Sequence, residues 1–403
     1  MNWPLNVSNF TWLDRLKICG FFLKPSNFWT MNKYVQKYEL EMAKFMGYEF
    51  AVFVSSGSTA NTILAMHLKD KLIKSGEFST RNIIVLPSTT WQTSCSPWIR
   101  EGFKPYFIDI SLENFGMDLT KLDDFLKINH EKVACVFPTA LLGYNIKYSV
   151  LRNFKKQYPK IFFGIDQCEN NFAQFGSLES YFTEFTCTTS TYMGHELQSV
   201  EGGFIFTNCP SEYKSFLMYR NHGMVRSLNG TVVENEKNLY ENKNVDSRFD
   251  FYCLGNNFRN CDIRAMIGLL DLKRVYKYIC IRRRLYGVFQ RNLNKDRYLL
   301  PQERITDKID SSLYVPFCIP IVCKGDKKEE RFNKIKEYCL ENLIEIRPII
   351  SGFLGYQTAY QGLMDEKDYP NSIYLHNNGI YVGLNTKLKK NQILKFVEFL
   401  NKI

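Results

Sequence analysis

Short apolar runs separated by stretches with helical spacing dominate the first half of the chain. Phe50–Val54, Asn82–Leu86, Pro105–Asp109, Val133–Phe137, Ile161–Ile165 and Gly203–Thr207 each read as a strand. The runs are continuous rather than alternating, the mark of strands covered on both faces. Most are joined by helix-length segments, and one helical pattern runs from the turn at Ser56 to about Lys74. Strands linked through helices make crossover units and a mostly parallel sheet in an α/β domain.

The second half has a different texture. Asn229–Ser247 is polar and aperiodic and reads as a long surface loop. Cys261–Asn292 has helical spacing and many basic residues, and predicts one long connecting helix. From about Ser311 the pattern shifts: Tyr314–Cys323 reads as a strand, Glu329–Asn342 as an amphipathic helix and Lys390–Lys402 as a final helix. We expect residues 1–250 to form a large α/β domain with an N-terminal arm. Residues 251–403 then supply the connecting helix and a smaller α+β domain, a division in keeping with a chain of 403 residues.

Composition narrows the class. A chain with 45% hydrophobic and 23% charged residues is an ordinary globular sequence. Its formal charge of +11 is spread, with short basic groups at Lys273–Arg284 and Lys387–Lys390. A nucleic-acid protein would gather that excess into one stripe. Solvated helix faces account for it, and the excess also attracts anionic substrates. The 12 cysteines include no CxxC, which argues against a zinc site and a disulfide framework. Met1-Asn-Trp-Pro-Leu5 shows no basic region followed by an apolar core, so no signal peptide is expected, and no apolar run reaches membrane-spanning length. The expectation is a cytoplasmic protein that binds neither membrane nor nucleic acid.

Several segments carry candidate chemistry. Ser56-Gly57-Ser58-Thr59 lies between a strand and a helix start, where free backbone N–H groups meet an anion; alone, such a turn is also an ordinary helix cap. Asp166 ends a strand, at the sheet edge where ligands of α/β proteins bind. Trp91 follows another strand; a lone Trp is usually core packing. His195 stands in Ser190-Thr-Tyr-Met-Gly-His195-Glu-Leu-Gln-Ser-Val-Glu201-Gly-Gly203, and an imidazole moves protons near neutral pH.

These segments occur in the order and spacing of a known group. The chain resembles the DegT/DnrJ/EryC1/StrS sugar aminotransferases, which are fold-type I pyridoxal-phosphate (PLP) enzymes; the resemblance implies a large α/β domain with a mostly parallel, seven-stranded sheet and a smaller C-terminal α+β domain. In that family the Ser190–Gly203 segment carries the lysine that holds PLP covalently; here the position is His195. The resemblance implies a phosphate cradle of Gly57, Ser58 and Thr59 with Ser190, and Trp91 stacked on the cofactor ring. It also implies Asp166 on the pyridine nitrogen and Glu169 near the ring hydroxyl. Gly255-Asn-Asn257-Phe-Arg259 matches a segment whose asparagine reaches the phosphate across a dimer, which implies a homodimer. Asn221-His-Gly-Met-Val-Arg226, Glu345-Ile-Arg347-Pro-Ile-Ile-Ser-Gly352 and His376–Gly383 match further family segments. Arg347, and less directly Arg259, is the candidate contact for an anionic substrate.

Replacing the lysine by His195 is similar to the family's lysine-less branch, the sugar 3-dehydratases. The implied activity is removal of the C3 hydroxyl of a nucleotide-linked 4-keto-6-deoxyhexose, in deoxysugar and polysaccharide biosynthesis. Pyridoxamine phosphate (PMP) would be held noncovalently, His195 would act as the base, and glutamate would serve as amino donor. The alternatives are a nucleotide-sugar aminotransferase, or an inactive homologue that binds cofactor or nucleotide sugar. A related subgroup carries an iron–sulfur cluster, but Asn229–Ser247 contains no cysteine to hold one. Other departures are Glu196 where that branch often has a second histidine, Asn32 where glycine is usual, and Gln198-Ser-Val in place of a small, threonine-rich run.

Overall fold

A computed structural model describes residues 2–172, 180–301 and 315–403. One sheet gathers β1 (Phe50–Val54), β2 (Ile83–Pro87), β3 (Lys104–Ile108), β4 (Val133–Val136), β5 (Phe162–Asp166), β6 (Thr186–Ser190) and β7 (Gly203–Thr207). Its order is β1-β7-β6-β5-β4-β2-β3. Neighbours from β3 to β6 are parallel, and only β7 opposes the strands beside it. The apolar runs thus predict six of the seven strands to within a residue or so. The exception is β6, which reads Thr186-Cys-Thr-Thr-Ser190 yet is buried along its whole length. Its hydroxyls make burial tolerable by finding partners: Thr188 donates to Asn61 (2.6 Å) and Thr186 to Glu212 (2.6 Å).

Helices α1 (Trp12–Leu23) and α2 (Lys33–Met46) precede the sheet. Asn32, the residue before α2, has an extended backbone with φ −127°, open to any side chain. The buried Asp262 carboxylate instead caps α2, accepting from the backbone N–H groups of Asn32 (2.9 Å) and Val35 (3.2 Å). Helices α3 (Gly57–Lys74), α4 (Gln92–Arg100), α5 (Leu119–Asn129), α6 (Tyr148–Gln157) and α7 (Pro210–Arg220) lie between or after the strands. The Asn229–Ser247 loop is a run of irregular turns with one short 3-10 segment, Glu234–Leu239.

The expected single helix over Cys261–Asn292 is two, α8 (Asp262–Leu272) and α9 (Val275–Asn292). They break at Arg274, which leaves helical geometry with φ −109° and ψ 5°. A polar knot holds the elbow. Buried Asp271 accepts from Tyr278 Oη (2.8 Å) and pairs with Arg274 (3.3 Å), which also pairs with Asp14 of α1. Helical periodicity is blind to such a knot, because the apolar spacing continues through it.

A second, antiparallel sheet follows the order β10-β11-β9-β8. Its strands are β8 (Tyr298–Leu299), β9 (Cys318–Cys323), β10 (Ile346–Pro348) and β11 (Gly379–Gly383), packed with α10 (Lys328–Glu341), α11 (Pro370–Asn378) and α12 (Lys390–Lys402). The change of pattern at Ser311 and the expected strand start at Tyr314 lie outside the described residues; the strand begins at Cys318. The N-terminal arm joins this second core. Trp3 is fully buried there and donates its indole N–H to Gly383 O (2.7 Å).

Two close approaches fix how α3 meets the sheet. A Cβ on Gly203 of β7 would sit 2.4 Å from the backbone nitrogen of Gly57, and one on Gly57 would sit 2.6 Å from Cys168 Sγ. The first helical turn of α3 therefore lies directly on β7. Gly203→Ala should destabilise the protein by about 1–3 kcal/mol through overpacking, read as a lower urea midpoint. Gly20→Ala, in α1 with nothing within 4 Å of a new Cβ, should be neutral or raise stability by up to ~1 kcal/mol. Equal midpoints for Gly203→Ala and wild type would contradict this packing.

Candidate active site

The C-terminal ends of the parallel strands, the start of α3 and the second sheet enclose a cavity of about 360 Å³. That size falls within the range of small-ligand sites. At its floor is Asp166, the last residue of β5 and almost wholly buried. Three donors converge on its carboxylate: Asn61 Nδ2 from α3 (2.9 Å), Ser94 Oγ from α4 (2.7 Å) and the Cys168 backbone N–H (3.0 Å). Asn61 is itself held by Thr188 of β6. A carboxylate offers about four acceptor sites, so these three leave capacity for a donor in the cavity.

Above Asp166 the walls come from several elements. Gly57 and Ser58 open α3, whose cap is closed by Ser56 and Thr59. Ser58 Oγ donates to Thr93 Oγ1 (2.8 Å). Ser190 ends β6 and turns into the cavity wall with Tyr192, Gly194 and His195. Trp91 caps no hydrogen bond and is 56% exposed, with its indole at the cavity's rim. From the second sheet come Phe317, Arg347 and Tyr381; from the N-terminal arm, Leu5 and Asn6.

Of the residues singled out from sequence, Gly57, Ser58, Trp91, Asp166, Glu169, Ser190, His195 and Arg347 meet at this cavity. Thr59 lies behind it, its hydroxyl accepting from Ser56 N (3.0 Å) in the helix cap. Arg259 points away and hydrogen-bonds Asn221. Asn257 is exposed and bridges to Asn221 outside the cavity of its own chain. Arg347 is exposed at the mouth, 3.7 Å from Glu345. Sequence reasoning missed the supporting layer. Asn61, two residues past the Ser56–Thr59 turn, carries no role in the motif reading, and Ser94 has no motif at all; only the fold places both on Asp166.

Burial sets the electrostatics. His195 is half-buried, and its Nδ1 meets no hydrogen-bond partner among the described residues. Desolvation lowers its pKa to about 4, against the opposing pull of the Asp166 charge; Arg282 adds to the lowering. The imidazole is therefore neutral at physiological pH. Glu169 is pushed the other way, to about 8, by burial and by the charges of Glu196 and Asp166, although it accepts from Leu142 N (3.0 Å). It is mainly a protonated acid at neutral pH. Glu196, beside the imidazole in sequence and 1% exposed, is raised to about 7 by burial, with Arg282 and Asn171 opposing.

The donor set fits a pyridoxal-type cofactor. The cradle of N–H groups and hydroxyls suits a phosphate, the spare acceptor capacity of Asp166 suits a protonated ring nitrogen, and the indole at the rim suits a flat ring. No group of residues able to hold a metal ion occurs among the described residues.

The raised pKa of Glu169 has a stability consequence. The folded protein keeps this proton over a range where the unfolded chain has lost it. Its contribution is present below about pH 4.5 and is lost as pH rises through about 8. Glu169→Gln keeps the acceptor for Leu142 and cannot ionise. Its stability relative to wild type should therefore rise between pH 5 and 9, measured by urea denaturation without cofactor. A pH-independent difference would refute the assignment.

The chain is similar to known proteins over nearly its whole length. GDP-4-keto-6-deoxy-D-mannose 3-dehydratase of Escherichia coli O55:H7 is 28% identical over 398 residues, covering 95% of each chain. The Yersinia pseudotuberculosis protein of the same name is 25% identical over 389 residues, covering 95% of this chain and 94% of that one. A solved E. coli GDP-4-keto-6-deoxy-D-mannose-3-dehydratase with bound hydrated PLP superimposes with a TM-score of 0.84 at 24% identity, over 99% of both chains. Residues 22–401 match the DegT/DnrJ/EryC1/StrS aminotransferase family, and the chain belongs to that family.

Proposed function

We propose that this protein is a PLP/PMP-dependent 3-dehydratase that removes the C3 hydroxyl of a nucleotide-linked 4-keto-6-deoxyhexose. One observation carries the reading: a neutral imidazole, His195, lines the cavity in the segment where the family's covalent lysine belongs, together with Gly57, Ser58, Trp91, Asp166, Glu169 and Ser190. When bound, the cofactor supplies an electron sink next to the sugar's reacting carbons. The chain's residues bind and orient it. Asp166 meets the ring nitrogen, Trp91 covers a ring face, and Gly57, Ser58 and Ser190 hold the phosphate. His195 takes a proton at the cofactor's C4′ carbon and returns one to the departing C3 hydroxyl. A neutral imidazole can accept that proton at pH 7, which a protonated lysine cannot. Glu169 stands as a proton donor to the ring hydroxyl.

Arg347, at the mouth, is the substrate's anion contact, and the chain's net positive charge draws a nucleotide diphosphate toward it. The GDP-linked 4-keto-6-deoxymannose in the relatives' names is the first substrate to test. Glutamate is the amino donor that restores the amine form. Asn257, exposed and outside its own cavity, serves the phosphate of a second copy. Exposed apolar side chains at Trp12, Leu23, Phe28 and Trp29 favour that association. An aminotransferase is the second reading, favoured by the family's description.

Mixing the protein with PLP, glutamate and a panel of nucleotide 4-keto-6-deoxy sugars should release a 3-deoxy-4-keto product, seen by mass spectrometry. An amino sugar instead would move the assignment to the aminotransferase. His195→Asn should keep cofactor absorbance but lose about 10²–10⁴-fold in turnover, the contribution of a general base; unchanged turnover would end this mechanism. In kcat/KM against pH, the acid limb should fall well below pH 6.5, because burial holds His195 near 4. Light scattering should find a dimer, and a fully active monomer would remove the role given to Asn257.

A further inference from the structure

Gln198 departs from the family's small residues at its position, and the proposed chemistry does not use it. Both ends of its buried side chain are nonetheless engaged. Nε2 donates to Met193 O (2.9 Å) and to Val7 O (3.0 Å), while Oε1 accepts from Asn9 N (3.1 Å). Its backbone N–H donates to Asp271 Oδ2 (2.9 Å).

These bonds join three things. The bond to Met193 closes the Met193–Gln198 turn across its base, and His195 sits inside that turn. The bonds to Val7 and Asn9 pin the N-terminal arm, whose Leu5 and Asn6 line the cavity with His195. The bond to Asp271 anchors the turn to the α8–α9 elbow. A carboxamide with one donor end and one acceptor end can make this set; a hydroxyl is too short to span from the turn to the arm.

We propose that Gln198 is a positioning residue, whose carboxamide locks the N-terminal arm onto the His195 turn and so fixes the imidazole against the cavity. Its effect on turnover rests on the reading of His195 as the base; its effect on the turn and arm does not. The same lock excludes water from the imidazole's surroundings, where the facing charges are Asp166 and Arg282.

The test compares wild type with Gln198→Met, which keeps length and loses every polar bond of the side chain. Two measurements on the cofactor-free protein decide it. Hydrogen exchange of the arm amides from Leu5 to Asn9 should quicken about tenfold, the scale of one lost hydrogen bond. The His195 resonance, identified by its loss in His195→Asn, should titrate nearer to an ordinary imidazole as water reaches the ring. In turnover, kcat should fall about 10–100-fold with KM and cofactor affinity held, as for a misplaced catalytic group. Wild-type values for either the arm exchange or the His195 titration overturn the proposal. Should Gln198→Met fail to fold, Gln198→Thr, which restores a small polar residue unable to reach Val7, is read by the same two signals. If wild-type protein converts no nucleotide sugar, the proposed reaction fails, while exchange and titration still decide the role of Gln198.

Discussion

A buried carboxylate at the end of β5 constrains everything around it. An ionisable group this far from water must be surrounded by donors or it destabilises the fold. Asp166 finds them near the starts of two helices, at Asn61 and Ser94, and in its own strand's exit at Cys168. Those bonds bring α3 and α4 to the same sheet edge. Thr188 on the neighbouring strand then orients Asn61, which explains why a threonine-rich strand is buried at the centre of the sheet. Satisfying one acidic side chain thus brings the start of α3, the indole at the start of α4 and the floor of the cavity together.

Seen this way, which parts of the protein were legible in the sequence follows from physics. Strands β1 to β5 and β7 announced themselves because apolar burial on both faces writes a continuous run. Strand β6 did not, since its burial rests on hydroxyl hydrogen bonds made by distant residues. The helix expected over Cys261–Asn292 breaks at Arg274 because a salt bridge to Asp14, about 260 positions away in sequence, holds the elbow. In the site, glycines and strand-end residues were readable through ordered motifs. Ser94, Gln198 and the cavity-lining Leu5 and Asn6 were not, because each acts through a partner that only the folded chain supplies.

Exchanging lysine for histidine changes the electrostatic demands of the cavity. A lysine amine would add a cation next to Asp166 and Glu169. The imidazole adds none, since burial holds it neutral. The acids are shifted the other way: burial raises both Glu169 and Glu196 toward neutrality, with Arg282 opposing at Glu196. At neutral pH the cavity therefore contains one base without its proton, His195, and one acid that mainly keeps its own, Glu169. Groups with pKa values driven apart by their surroundings can divide acid and base duties, which a set of equally exposed side chains could not.

The site also draws on both ends of the chain. Trp3 N donates to Leu343 O (3.0 Å) and Glu345 N to Trp3 O (3.0 Å), so the arm runs as an added strand-like segment beside the second sheet before reaching the cavity. Its next residues, Leu5 and Asn6, face the turn that carries His195. Contacts this distant in sequence lose chain entropy before they return any stabilisation, so they form late and depend on the rest being in place. The cavity therefore rests on contacts from both ends of the chain. Its geometry is set by the large sheet, but its closure depends on an arm that has no hydrophobic anchor until the C-terminal core surrounds Trp3.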